Sequence, residues 1–232
     1  MSALKIIENA LSEGRIKLLE HEAFELAKEY GIPVPNAILV KTPEEATKYA
    51  DEVGYPIALK VVSPDITHKS DVGGVKLNLK SKEEVAKGVS EIFRNVSTKA
   101  PSAKIVGVLM YKMAPQGLEV IIGGVRDNVF GPVVMFGLGG IFVEVLKDVS
   151  FRIAPVSLEE ALTMMSEIKS AKILEGYRGQ PPVNKEALAD IVVKLGKMML
   201  DLPAIDSVDL NPVMAYPNGA IAVDVRVILK RG

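Results

Sequence analysis

Two stretches of this sequence carry side chains suited to phosphate chemistry. In the first, Lys60 sits inside the apolar run Ile57–Val62, and a polar loop follows that holds His68, Lys69 and Gly73-Gly74 before the next apolar run. An ammonium held by a strand can neutralise a phosphate, and a strand lysine can equally well face solvent. Glycines let backbone N–H groups come close to an anion that a side chain would keep away. His68 is the one histidine outside the helical stretch that contains His21. Imidazole near neutral pH serves as nucleophile, acid–base group or plain loop residue, and spacing alone leaves all three open.

The second stretch is the hairpin Asp209-Leu210-Asn211-Pro212 … Val223-Asp224-Val225-Arg226, with Asn218-Gly219 between its arms. Asn-Gly favours a two-residue turn. A turn at 218–219 sets 213 opposite 224 and 211 opposite 226. Period-two alternation then puts Asp209, Asn211, Asp224 and Arg226 on one face, with Asn211 and Asp224 as diagonal neighbours. Oxygen donors of this kind suit Mg²⁺, which takes one or two protein groups and completes its shell with phosphate and water. A solvent-facing polar side of an antiparallel hairpin is the plain alternative, and the face assignment depends on register. Glu119, embedded in the apolar run Leu118–Ile122, must be edge-exposed, paired, or bound to a ribose or a cation.

Other motifs fall short. Gly137-Leu138-Gly139-Gly140-Ile141-Phe142 has Phe142 where a dinucleotide fingerprint needs its third glycine. No Gly-Lys-Ser/Thr is present, and His21-Glu22 lacks the second histidine of a zinc protease, so His21 reads as a helix-surface residue.

The elements that must position these groups are marked by punctuation. Thr42, Ser81 and Ser157 each precede a Glu by three residues, the pattern of a capping box, and Asn184 can cap a helix reaching about Met199. An amphipathic stretch from Arg15 to Tyr30 stops at Gly31, with Pro33 and Pro35 beyond it. β-rich runs are expected at Ala37–Val40, Ile57–Val62, Gly74–Leu79, Ile105–Tyr111, Leu118–Val125, Pro132–Phe136, Val208–Met214 and Ala220–Leu229. Helices and strands mix without strict alternation, which implies α+β. A polar link at Lys112–Gly117 divides the chain into halves of similar size.

Composition narrows the classes. The chain has 232 residues, of which 48% are hydrophobic and 25% charged, as in a globular protein with a sizeable core. Lys plus Arg (28) nearly balance Asp plus Glu (29), so no basic excess is available for nucleic acid or an anionic membrane. The absence of Cys excludes disulfides, Cys-ligated zinc and thiol nucleophiles. No apolar run is long enough for a membrane span and the first residues carry no apolar signal core, so a cytoplasmic protein is expected.

In this order the segments resemble an ATP-grasp domain, specifically the β subunit of the ADP-forming acyl-CoA (acetyl-CoA) synthetases. The carriers are Tyr55–Lys60 with Ser63–Val75, Gly117–Gly123, Gly131–Gly140, Tyr177-Arg178-Gly179 with Pro181-Pro182, and Asp209–Pro212. The resemblance spans residues 15–230, and the His-Lys-Ser-Asp-X-Gly-Gly-Val loop is its most specific part. It implies two α/β subdomains clasping a nucleotide, 1–113 with a phosphate lid and 114–232 with a metal-binding hairpin. It also implies the reaction acyl-CoA + ADP + phosphate ⇌ acid + ATP + CoA, with ATP/ADP and Mg²⁺ as cofactors. Lys60 resembles the lysine on the nucleotide phosphates, and the loop with Lys69, Gly73 and Gly74 resembles the lid over them. Tyr111, Met113 and Ala114 fall on the hinge whose backbone reads adenine, and Glu119 lies near ribose or the lysine. Asn211 and Asp224, with Asp209 beside them, resemble the magnesium ligands. His68 resembles a second phosphorylation site that receives its phosphoryl group from a histidine on a separate α subunit. Arg178 belongs to a family motif, with phosphate contact and subunit docking both open. No CoA-binding fingerprint is present, so the resemblance implies a CoA-binding α partner, in a heterotetramer of two α and two β chains. A stand-alone carboxylate–amine ligase and a non-catalytic nucleotide-binding module are the rival readings. The acyl group and the choice of ADP over GDP are not written in these residues.

Overall fold

The protein is described by a computed structural model covering residues 2–140, 147–177, 179 and 181–231. Its contacts separate into two compact units. The larger comprises Met1–Leu18, Glu25–Val34 and Pro115–Gly232; the smaller comprises Leu19–Phe24 and Pro35–Ala114.

The smaller unit is a four-stranded antiparallel sheet of β1 (Ala37–Val40), β2 (Ile57–Val62), β3 (Val75–Leu79) and β4 (Gly107–Lys112), in the order β1-β4-β2-β3. α3 (Pro43–Val53) and α4 (Lys82–Lys99) cover one face. Alternation along β2 and β4 sends Ile57, Leu59, Val61, Val108 and Met110 into that helix-covered core, with Ala46, Val85, Val89 and Ile92 opposite them. Each such side chain contributes about 1.5–3 kcal/mol on leaving water, which fixes which face is inward. The other face of the same strands carries Ala58, Lys60, Leu109 and Tyr111.

The larger unit is built on a six-stranded antiparallel sheet. β5 (Leu118–Asp127), β6 (Gly131–Leu138), β7 (Val149–Ile153), β8 (Ile205–Tyr216) and β10 (Val225–Leu229) run in the order β10-β8-β5-β6-β7, and β9 (Gly219–Ala222) extends β8. α5 (Leu158–Glu167) and α6 (Lys185–Asp201) pack on one face, and a 3-10 turn spans Ala171–Glu175. A Cβ on Gly124 would meet Met199 of α6 at 2.3 Å, so the even-numbered positions of β5 face the helices there.

Helix starts follow the sequence. Thr42, Ser81, Ser157 and Asn184 each accept a backbone N–H from their helix's first turn. The reciprocal half of the capping box forms only at Ser157, where Glu160 accepts the Ser157 N–H. Glu45 and Glu84 reach one residue further back, to the N–H groups of Lys41 and Lys80.

Several expectations are corrected. α2 occupies Glu20–Glu29, shorter than Arg15–Tyr30, because residues 16–18 run extended along β10: Leu18 N–H donates to the Val227 carbonyl and Leu229 N–H to that of Ile16. These bonds, with that from Ala222 N–H to the Pro33 carbonyl, belong to the larger unit. The chain passes between units at Ala114/Pro115, next to the expected 113/114 division, and also three times within its first 35 residues. α1 (Ala3–Ser12) was not anticipated, although Ala3, Ile6, Ile7 and Ala10 are buried at helical spacing. β7 was missed because its pattern is inverted: Ser150 is buried, donating to the Met164 carbonyl, while Phe151 and Ile153 are exposed on an edge strand. No described helix is long and apolar enough to cross a membrane.

Candidate functional site

Each unit presents a polar cluster. In the smaller unit, register sets Ala58 opposite Tyr111 and Lys60 opposite Leu109, so Lys60 and Tyr111 share the face that α3 and α4 leave uncovered and the first turn of α2 meets. Lys60 Nζ lies 5.6 Å from the centre of the Tyr111 ring, and that ring contacts Phe24 with centroids 5.9 Å apart. Lys60 Nζ donates to Glu20 Oε1 at 3.0 Å, and Lys69 Nζ donates to the other oxygen, Glu20 Oε2. The Glu20 side chain is only 4% exposed. One buried carboxylate in the first turn of α2 therefore holds a strand lysine and a loop lysine. Its position at a helix N-terminus suits a negative group, and the two ammonium groups offset its desolvation.

The loop between β2 and β3 is tethered. Ile66 anchors it in the core. Asn95 of α4 donates to the Gly73 carbonyl at 3.3 Å, and Lys99 donates to that of Asp71 at 3.1 Å. The N–H groups of Gly73 and Gly74, expected to face an anion, instead donate to the carbonyls of Ser70 (3.0 Å) and Lys69 (2.7 Å). The glycines are needed for fit: Gly73 has φ +67°, and a Cβ on Gly74 would stand 2.5 Å from Val61. His68 is exposed on this loop, next to the Lys69 that Glu20 holds. At the end of β4, Tyr111 is buried, Met113 N–H donates to the Pro56 carbonyl at 2.8 Å, and Met113 Sδ accepts from Asn78 N–H. Ala114 is the last residue of the unit and is half-buried.

In the larger unit the hairpin register differs from expectation. Tyr216 pairs with Gly219, so Pro217-Asn218 forms the turn, and Asp209 lies directly opposite Arg226. The slip is two residues, so Asp209 and Arg226 keep their common face. Asn211 now lies across from Asp224 rather than diagonal to it, its N–H donating to the Asp224 carbonyl at 3.2 Å. Val120 pairs with Val213 but Ile122 with Leu210, so Asn211-Pro212 forms a bulge opposite Ile121. Leu210 and Val213 stay buried on either side of it.

Asp209 pairs with Gly123, and Glu119, four positions before Gly123, shares its face, opposite α6. Glu119 is exposed; Gly139 donates to its carbonyl at 2.8 Å, and a Cβ on Gly139 would meet the Glu119 Cβ at 3.0 Å. Burial pushes the Asp209 carboxyl up from its usual range; the nearby Arg226 opposes this and the Asp224 carboxylate adds to it. Two repelling carboxylates and an amide oxygen fit a hard divalent cation, which would relieve that repulsion. Among the described residues no three His, Asp or Glu side chains gather to hold a metal by themselves. Such a site suits an ion that fills its shell from a phosphate ligand and water.

The lysine–loop set and the carboxylate set thus lie on different units. Glu20 and Phe24 were not anticipated, since nothing in a helix's first turn signals a lysine forty residues away. Arg178 and, in the Gly-rich segment, Ile141 and Phe142 lie outside the described residues.

Comparison with known proteins gives a consistent picture. The ATP-grasp domain family matches residues 9–229. The chain is 55% identical over 227 residues to the β subunit of ADP-forming acetate–CoA ligase I of Pyrococcus furiosus, covering 98% of this chain and 97% of that one. It is similar to a dinucleotide-forming acetyl-coenzyme A synthetase 1 chain of Ca. Korarchaeum cryptofilum, solved with coenzyme A, Ca-AMPCP and HgCl⁺. There the TM-score is 0.96 and the identity 50%, over 99% of this chain and 100% of that chain. A second structure of that synthetase, with coenzyme A and Mg-AMPPCP, has its phosphohistidine segment pointing towards the nucleotide-binding site. It matches with a TM-score of 0.89 and 47% identity, over the same shares of the two chains.

Proposed function

Because this chain belongs to the ATP-grasp family, among the β subunits of ADP-forming acetate–CoA ligases, we propose that it moves a phosphoryl group between His68 and ADP. The observation that carries this reading is the pair of lysines converging on Glu20 beside the loop that presents His68. In the ATP-forming direction the P–N bond of phosphohistidine breaks, and a terminal β-phosphate oxygen of ADP forms the new P–O bond. The imidazole is left neutral once it has exchanged a proton with water. Phosphoryl transfer of this kind asks the protein chiefly for positioning and charge neutralisation.

Lys60 and Lys69 supply positive charge to the phosphate oxygens. Tyr111 and the backbone of Met113-Ala114 form the adenine edge, with Glu119 for ribose. Asn211 and Asp224, with Asp209 alongside, would hold Mg²⁺, which when bound draws charge from the phosphate oxygens. Exposure of His68 suits a group that must receive its phosphoryl from another protein.

The reading places the chain in the cytoplasm, in a complex with a CoA-binding α subunit, two chains of each kind. Light scattering on the co-purified complex checks that mass. The chemistry is tested with labelled ATP, the α subunit and Mg²⁺. Acid-labile, alkali-stable label is expected on this chain and is absent in His68→Ala. Label that persists in His68→Ala removes His68 from the reaction, and an isolated chain that makes acetyl-CoA unaided overturns the division of labour.

A further inference from the structure

We propose that Glu20 is a positioning residue that ties the His68 loop to the nucleotide strand through Lys69, an assignment resting on the phosphoryl-transfer reading above. Its carboxylate divides its two oxygens between lysines from different places: Lys60 from the middle of β2, and Lys69 from the residue after His68. Both lysine side chains are mostly buried, at 12% and 20% exposed, and Glu20 is buried more completely. Two ammonium groups held this close in a half-desolvated setting repel each other strongly. The carboxylate between them turns that repulsion into a bridge. Without it, Lys69 gains free energy by swinging out to water, and the loop moves with it.

The geometry makes the consequence local. Lys69 is also the residue whose carbonyl accepts the Gly74 N–H, and Gly74 in turn accepts from Val61 beside Lys60. A displaced Lys69 therefore opens the turn that closes the loop, and with it the placement of His68. On its far side the loop is still held by Asn95, Lys99 and Ile66, so the strands and α4 stay folded. Glu20 touches lysines rather than the reacting atoms, so its effect is on where they stand.

Two measurements separate this from general support of the fold. In Glu20→Gln, hydrogen exchange at the Gly73 and Gly74 amides, and at Val61, which donates to Gly74, is expected to accelerate about tenfold or more, with the other β2 amides and those of α4 unchanged. Unchanged exchange at these amides, or equal acceleration everywhere, overturns the assignment. Should Glu20→Gln not fold, Lys69→Met releases the loop while leaving Glu20 on Lys60, and the same local acceleration is expected; its absence is equally fatal.

In the complex with the α subunit, the rate of label transfer from His68 to ADP is expected to fall about tenfold or more in Glu20→Gln. KM for ADP should stay within about twofold, and Glu20→Asp should recover part of the rate. Glu91→Gln serves as the control, because it removes the same charge from the Lys76 pair elsewhere in the unit. An equal loss in Glu91→Gln would assign the effect to net charge and sink the proposal. Wild-type protein that never labels at His68 would refute the functional reading itself. Wild type that labels, with Glu20→Gln transferring at the same rate, refutes only the role of Glu20.

Discussion

The two units solve one construction problem with charges of opposite sign. Each lays an antiparallel sheet against helices and gathers a cluster of charged side chains. In the smaller unit those side chains are Lys60 and Lys69, and their charge is already met by buried Glu20. In the larger unit they are Asp209 and Asp224, which repel each other and have Arg226 opposite the first of them. Lysines kept partly out of water need an internal anion when no phosphate is present, since an unpaired buried ammonium is costly. The lysine charge is thus met within the fold by a buried carboxylate, whereas Asp209 and Asp224 repel each other.

That contrast can be broken at its strongest point first. Lys60→Met should weaken ADP binding about 30- to 100-fold, the scale of one charge-assisted hydrogen bond, by calorimetric titration. Wild-type affinity would mean that the lysine face does not meet phosphate. Next, Gly74→Ala forces a Cβ to within 2.5 Å of Val61 and 3.0 Å of the Lys69 carbonyl. It should cost about 1–3 kcal/mol and lower Tm by several degrees, because the loop is part of the smaller unit's packing. An unshifted Tm would mean the loop is merely draped on the sheet.

Asp224→Asn should raise the Mg²⁺ concentration for half-maximal activity about tenfold while moving Tm by no more than about 1 °C. A large fall in Tm would make the larger unit's cluster structural, like its counterpart. The smallest effect concerns pH. Asp209 is raised in the folded state, so the folded chain binds more protons than the unfolded one. Metal-free stability is then expected to fall as pH climbs from about 4, the unfolded carboxyl value, through the raised folded value. Asp209→Asn should flatten that slope and raise Tm slightly at neutral pH in thermal scans with chelator. A steeper slope in the variant would place the repulsion elsewhere.

The parts of this fold that could be read in advance are those decided within a few residues. Thr42, Ser81, Ser157 and Asn184 mark helix starts because a hydroxyl or amide there meets its own helix's first turn. The common face of Asp209 and Arg226 holds in spite of the displaced turn because period two forgives a two-residue slip, whereas Asn211 lies in a bulge that interrupts the alternation. The register itself was misjudged: Asn218-Gly219 invites a turn of its own, but the ladder pairs Tyr216 with Gly219. β7 was illegible because its buried position is a serine and its exposed ones are Phe151 and Ile153. The glycines after His68 are legible as the place where the loop closes tightly, but the carbonyls of Ser70 and Lys69 that take up their N–H groups are not.

Residue order alone settled the α+β character, the strand that carries Lys60, the loop that carries His68 and the common face of Asp209 and Arg226. Caps, alternation and turn residues act over one or two turns of chain, where neighbours in sequence are neighbours in space. Folding in three dimensions decided the sheet orders, the extended course of residues 16–18 along β10 and the carboxylate that unites Lys60 with Lys69. The two lysine–carboxylate contacts join residues 40 and 49 apart in the chain. Their partners are selected by burial and charge balance in the packed molecule, quantities that no local pattern contains.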